Sequence, residues 1–138
     1  MILADTGFWL ALANAKDRHH TRARAALAKH RGPFMTTWPV MTETCHLLGS
    51  RLGSRAVIAF VRSGTLGAFE VFSLEPTHLP RVEELMEKYR ALPMDLADAS
   101  LVIAAEQMGS GEILSTDVRD FGAYRWKNRK PFRNVLLG

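Results

Sequence analysis

A chain of 138 residues, 47% hydrophobic and 23% charged, can bury one ordinary core, which predicts a single domain over residues 1–138 and excludes a disordered or fibrous polymer. Its lone cysteine, Cys45, excludes an internal disulfide, and the lack of a basic leader or a run of ~20 apolar residues argues for the cytoplasm and against a membrane span. The formal charge of +4 comes from 18 basic against 14 acidic residues; thirteen of the basic ones are arginine, whose planar fork suits phosphate, although a GC-rich genome gives the same bias.

Met1 to Ala4 is a short apolar run closed by Asp5-Thr6-Gly7, and Phe8 to Ala13 reads as the start of a helix, together the entry to a βα unit. After the Lys16-Asp17-Arg18 break, His19 to His30 makes a second helix, stopped by Arg31-Gly32-Pro33. Phe34-Met35-Thr36 predicts a second strand. Thr37 is then an N-cap and Pro39 sits in the first turn of a helix carrying Glu43, Cys45, Leu47 and Leu48. Gly49 to Gly53 reads as a joint, Ser54 to Val61 as a helix, Phe69 to Phe72 as a third strand, and Pro76 to Tyr89 as an acid-rich helix. A helix from Asp95 to Met108, halted by Gly109-Ser110-Gly111, precedes a buried strand from Glu112 to Thr116. Beyond Phe121 the chain turns basic and aromatic, with Asn134-Val135-Leu136 as a last, edge strand.

Helices alternating with short buried strands predict an α/β fold with a parallel sheet covered on both faces. In such sheets ligands bind beyond the carboxyl ends of the strands. A helix of about 14 residues rises ~21 Å and a strand of five returns ~17 Å, so Asp95 and Asp98 come back beside Asp117 and Asp120. Asp5 closes the first strand, and Glu43 lies near a helix start at the same edge. Two carboxylates ~4 Å apart repel by about 4 kcal/mol at an effective dielectric of ~20, so a divalent cation is the economical explanation of such a gathering.

Each of these residues has a plainer reading. Asp95 and Asp98 have the spacing of an N-cap and an acid in the first helical turn; the compromise is that Asp95 caps and Asp98 points into the crevice as the better metal ligand. Asp117 and Asp120 could be ordinary loop acids, whereas Asp5, after a wholly apolar strand, should be buried. Glu43 and His46 form a Glu-x-x-His pair, but a di-iron bundle needs two such pairs on a helical scaffold. Cys45 reads as a small core residue rather than a nucleophile. The stretch from Arg119 to Arg133 has six basic residues against one acid, interleaved with Phe121, Tyr124, Trp126 and Phe132. This suits single-stranded nucleic acid, with Arg119, Arg125, Lys127 and Arg129 as phosphate contacts; equally, it suits a charged sheet edge whose aromatics are in the core.

Four blocks, MILADTG, TTWPVMTET, MDLADASLVIAAE and GEILSTDVRDF, resemble in order the PIN-domain family, specifically the VapC-type toxins of bacterial toxin–antitoxin pairs, as does the DRHH segment. The resemblance implies a three-layer α/β/α sandwich with a central, mainly parallel sheet. It also implies a metal-dependent ribonuclease whose acids map onto Asp5, Glu43, Asp98 and Asp117. Asp5, Asp98 and Asp117 would hold Mg²⁺ or Mn²⁺, with Glu43 binding a second ion or orienting water. Thr6 and Thr116 would fix the carboxylates by hydrogen bonds, and Asp95 and Asp120 are additional acids near them. Four carboxylates carry about −4, which two divalent ions would balance, and such a pair can activate water and steady the leaving oxygen of a phosphodiester. Gly7 stands where the family often has serine. The resemblance further implies a homodimer and a cognate VapB-type antitoxin that covers the crevice. Two rivals are a PIN fold that binds RNA or protein without cutting, whose acids should be incomplete, and a phosphoacceptor receiver domain. The latter needs an aspartate after strand three, where this chain has Ser73.

Overall fold

The computed structural model describes residues 1–137. Five strands form one parallel sheet in the order β3-β2-β1-β4-β7: β1 (Ile2–Ala4), β2 (Phe34–Thr37), β3 (Glu70–Phe72), β4 (Glu112–Leu114) and β7 (Arg133–Asn134). A separate antiparallel hairpin pairs β5 (Arg125–Trp126) with β6 (Lys130–Pro131). Seven helices flank the sheet: α1 (Thr6–Ala13), α2 (His20–Lys29), α3 (Trp38–Leu52), α4 (Ser54–Thr65), α5 (Leu79–Lys88), α6 (Leu96–Met108) and α7 (Val118–Ala123). The strand order excludes the receiver arrangement, in which β1 lies between β2 and β3.

The central strands are short because they need only reach across the core. Every residue of β1 and β2 is buried, as expected of strands covered on both faces. Helix α6 is buried nearly all round, with Ala97, Ala99, Ser100 and Leu101 through Ala105 enclosed. Such a helix is a core element rather than an amphipathic cover. Its two ends are fixed differently. Asp95 caps the start by accepting from the Asp98 amide at 2.8 Å, and Gly109 closes the other end in the left-handed conformation.

Several boundaries differ from the sequence reading for local reasons. Helix α3 runs through Gly49 to Leu52, and the break falls at Gly53 alone, whose φ of 96° favours glycine. The third strand starts at Glu70, and Pro76–His78 forms a 3-10 turn before α5 instead of its first turn. Strand β4 ends at Leu114 because Ser115 turns inward to bond the first acid. The last strand stops at Asn134, whose side-chain oxygen accepts from the amides of Leu136 and Leu137 and turns the chain.

One chain of buried hydrogen bonds ties the start of α3 to the start of α6. The Val40 amide donates to Thr37 Oγ1 at 3.3 Å, Thr37 Oγ1 lies 2.6 Å from Ser100 Oγ, and Ser100 Oγ donates to the Ala97 carbonyl at 2.6 Å. Each hydroxyl has one proton, and that of Ser100 is given to Ala97, so Thr37 must be the donor to Ser100. Both side chains are fully buried. Thr37→Val removes a helix cap and leaves Ser100 without its donor, so it should cost about 2 kcal/mol in urea unfolding. The exposed Thr42→Val should change stability by less than about 0.5 kcal/mol.

Candidate active site

The order in which successive strands are added to the sheet reverses between β1 and β4, the two parallel strands whose carboxyl ends lie side by side; the Asp5 amide donates to the Leu114 carbonyl at 3.0 Å. A reversal of strand order opens a crevice at the carboxyl edge. Asp5 follows β1 there and Asp117 follows β4. Helices α3 and α6 bring Glu43 and Asp98 to the same place, since their first turns are joined through Thr37 and Ser100.

Asp5 is 8% exposed and caps α1, accepting from the Thr6 amide at 2.8 Å. Its other oxygen accepts from Ser115 Oγ at 3.1 Å. Burial pushes its carboxyl up to about 6; the two hydrogen bonds oppose that, and the charges of Glu43 and Asp117 add to it. Asp98 is half-buried and is pushed up to about 8, first by desolvation and then by Asp95, with a further contribution from Asp5. A 2.9 Å hydrogen bond donated by the hydroxyl of Tyr124 acts the other way. Asp117 caps α7, accepts from the Asp120 amide at 3.0 Å, and is raised by desolvation. Glu43 Oε1 accepts from Thr6 Oγ1 at 2.5 Å. Asp5, Glu43, Asp98 and Asp117 thus lie near enough to act on one another's charge, and none is in an ion pair among the described residues.

The remaining sequence candidates divide. Asp95 is exposed and serves as the α6 cap. Asp120 is buried but neutralised by Arg119 Nε at 3.0 Å; it reaches Asp117 through its own amide. Thr6 bonds Glu43, whereas Thr116 makes no side-chain hydrogen bond among the described residues and packs on Gly7 instead. The hydroxyl held on Asp5 belongs to Ser115, one position earlier than expected. Sequence reading also missed Tyr124 as the partner of Asp98, and Asn134, which brackets Ser115 by accepting from its amide and donating to its carbonyl. No spacing rule links residues 26 positions apart, so that signal was absent.

The aromatic part of the nucleic-acid reading is corrected. Tyr124 is fully buried, Trp126 and Phe121 nearly so, and Phe121 stands edge-on to both Tyr124 and Phe132. Rings in the core cannot stack on bases. Arg119 and Arg125 are also engaged internally, Arg119 with Asp120 and the Leu92 carbonyl, Arg125 with the carbonyls that end α7. Lys127 and Arg129 remain exposed on the hairpin turn. Exposed His46 and the burial-raised thiol of Cys45 support neither a di-iron site nor a nucleophile.

The donor set is all oxygen, which suits a hard divalent cation such as Mg²⁺ or Mn²⁺ rather than a soft one. As placed, no three acid, His or Cys side chains among the described residues enclose a ready-made cage. The fit rests on unpaired, mutually repelling carboxylates at helix starts whose dipoles favour negative charge.

A family model described as the PIN domain matches residues 2–127, and the chain belongs to that family. It is similar to Ribonuclease VapC26 of Mycobacterium tuberculosis, 25% identical over 124 residues that span 90% of this chain and 92% of that protein. A stretch of 59 residues, 43% of this chain and 45% of the relative, is 44% identical to the 23S rRNA-specific endonuclease VapC20 of the same organism. The crystal structure of Mycobacterium tuberculosis VapC20, titled a sarcin-ricin loop cleaving toxin, matches with a TM-score of 0.80 and 25% identity over 86% of this chain and 92% of that one. The PIN-like fold, a mainly parallel sheet flanked by helices, is therefore that of the family.

Raised acids make stability fall with pH. The stabilisation from a protonated Asp5 is full below its unfolded value of 3.8 and lost as pH rises through about 6, a swing on the order of 3 kcal/mol. Urea unfolding in EDTA should show lower stability at pH 8 than at pH 5; Asp5→Asn should remove the smaller part of that difference, the part lost by about pH 6, and Asp98→Asn the larger part, lost as pH rises toward 8. At Gly7 an added Cβ would lie 1.8 Å from Thr116 Oγ1. Gly7→Ser should therefore lower stability by about 1–3 kcal/mol, and Thr116→Ala should recover much of it in the double variant.

Proposed function

We propose that this chain is a divalent-metal-dependent endoribonuclease of the VapC type, the toxin of a toxin–antitoxin pair. The observation that carries the reading is the buried Asp5 at the reversal point of the sheet, acted on by Glu43 and Asp117 and itself acting on Asp98, with none of the four in an ion pair among the described residues. Similarity to VapC26 and VapC20, ribonucleases by their names, supports RNA as the substrate. A PIN fold that had lost cleavage should have lost acids, and here all four are present.

Asp5, Asp98 and Asp117 would hold Mg²⁺ or Mn²⁺, with Glu43 binding a second ion or orienting water. Bound there, a divalent ion would supply an activated water and offset charge on the phosphodiester, so no protein nucleophile would be required and 5′-phosphate and 3′-hydroxyl ends are expected. The chain's own part is orientation. Ser115 fixes one oxygen of Asp5, Tyr124 one oxygen of Asp98, and Thr6 one oxygen of Glu43. Ser115 and Tyr124 spend their protons on Asp5 and Asp98 and so favour the charged form that a cation needs.

The same reading places the protein in the cytoplasm as a homodimer restrained by a VapB-type antitoxin. Among the described residues no helix is long and apolar enough to cross a membrane. Exposed Trp38 on α3 and Ile58 and Val61 on α4 supply apolar surface for protein partners.

Purified protein incubated with structured RNAs should cleave with Mg²⁺ or Mn²⁺ and stop in EDTA. Asp98→Asn should lower kcat/KM by more than about 100-fold, and Tyr124→Phe by about 10-fold, with circular dichroism unchanged in both. Cleavage that persists in EDTA would reject the mechanism.

A further inference from the structure

Behind α7 lies a cleft of about 580 Å³ between α2 and the β7 edge. Arg22, Lys29 and His30 border it from α2 and its C-terminal cap, and Arg133 borders it from β7; no Asp or Glu lines it. Among the described residues neither Arg22 nor Lys29 is in an ion pair, and Arg133 has only a 3.5 Å contact with Glu112. Three cationic groups from two elements, Arg22, Lys29 and Arg133, face one hollow and repel one another, and a solvated face would spread them apart. They define a site for an extended anion.

The cleft also adjoins the acids. Val118, one residue past Asp117, is part of its wall, and so is Asn134, which bonds the amide and carbonyl of Ser115, the donor to Asp5. From Val118 to Gly122, which also lines it, α7 rises only ~6 Å.

We propose that this cleft is the track of the RNA phosphate backbone as it leaves the carboxylate crevice, with Arg22, Lys29 and Arg133 as the phosphate contacts. The inference rests on the nuclease reading. Divalent ions at most balance the crevice's four carboxylates, so net attraction for a polyanion has to come from charge set beside it, and this hollow is a basic surface that shares a wall with the crevice. Contacts of this kind hold the backbone without reading sequence. They differ from the hairpin positions Arg125, Lys127 and Arg129, of which Arg125 is already spent on carbonyls of α7. An acidic polypeptide would meet the same charges, but it has no need to pass from the reacting centre into this hollow.

The test combines Arg22→Gln, Lys29→Gln and Arg133→Gln, all exposed positions, in an Asp98→Asn background that does not cut. The probe is a fluorescein-labelled single-stranded RNA of about 16 nucleotides followed by anisotropy across a salt series with Mg²⁺. Removing three phosphate contacts should flatten the slope of log K against log salt by about 2, since each contributes ~0.7 on single strands. A control triple on α3 and α4, Arg51→Gln, Arg55→Gln and Arg62→Gln, should leave the slope unchanged, and Arg22→Lys should bind like the parent. A slope unaltered by the cleft substitutions, or flattened equally by the control, overturns the proposal. So does an unchanged RNA slope together with lost binding of labelled poly-glutamate, which would give the cleft to a protein partner. Failure of the nuclease reading shows elsewhere: with Asp98 restored, it appears as absence of metal-dependent cleavage, whatever the slope.

Discussion

The hydrogen-bonded pair of Thr37 and Ser100 is the constraint on which the geometry of this site depends. It lies in the dry interior, where an unmade bond costs most, and it joins the first turns of two helices that are far apart in sequence. Because α3 carries Glu43 and α6 carries Asp98, any slip between them would separate the acids. Packing alone tolerates small rotations of one helix against another. A buried chain of directed donors and acceptors does not.

Around that clamp, charge is handled by position instead of by pairing. Apart from Arg119, which pairs with Asp120 beside Asp117, the arginines that make ion pairs do so elsewhere: Arg81 holds Glu106 with both Nε and a terminal nitrogen, and also meets Glu84. Three of the acids near the crevice, Asp5, Asp95 and Asp117, are helix caps, so backbone amides and helix dipoles meet part of their charge. What remains uncompensated appears as carboxyls held above their ordinary range. The site thus stores unfavourable charge at the expense of fold stability, which is where a binding function would put it.

Much of the scaffold was legible because it obeys local rules. Apolar runs bounded by Gly and Pro marked β1, β2 and β4, and Thr37 with Pro39 and Asp95 with Gly109 marked helix ends. Local rules also misled. Gly49 suggested a joint, but a glycine inside a helix is tolerated, and only Gly53 takes a conformation that others avoid. The short α7 and the hairpin were invisible, since Lys127 and Asn128, both with positive φ, lack the usual turn pair ending in glycine. In the site, the order of the acids along the sheet edge was readable from the alternation of elements. Which of two adjacent hydroxyls, Ser115 or Thr116, turns toward Asp5 was not, because that depends on where the strand stops. Nor could Tyr124 be distinguished from a base-stacking ring while its burial was unknown.

The position of β1 in the middle of the sheet bears on when the protein becomes competent. Synthesis delivers this strand well before its neighbour β4 and Ser115 beyond it, which arrive 110 residues later. Until then Asp5 has neither its lid nor its companions; it is an ordinary carboxylate in water. A half-made chain therefore has no assembled carboxylate centre. In this topology the order of manufacture acts as a safety catch that is released only once β4 and Ser115 have been made.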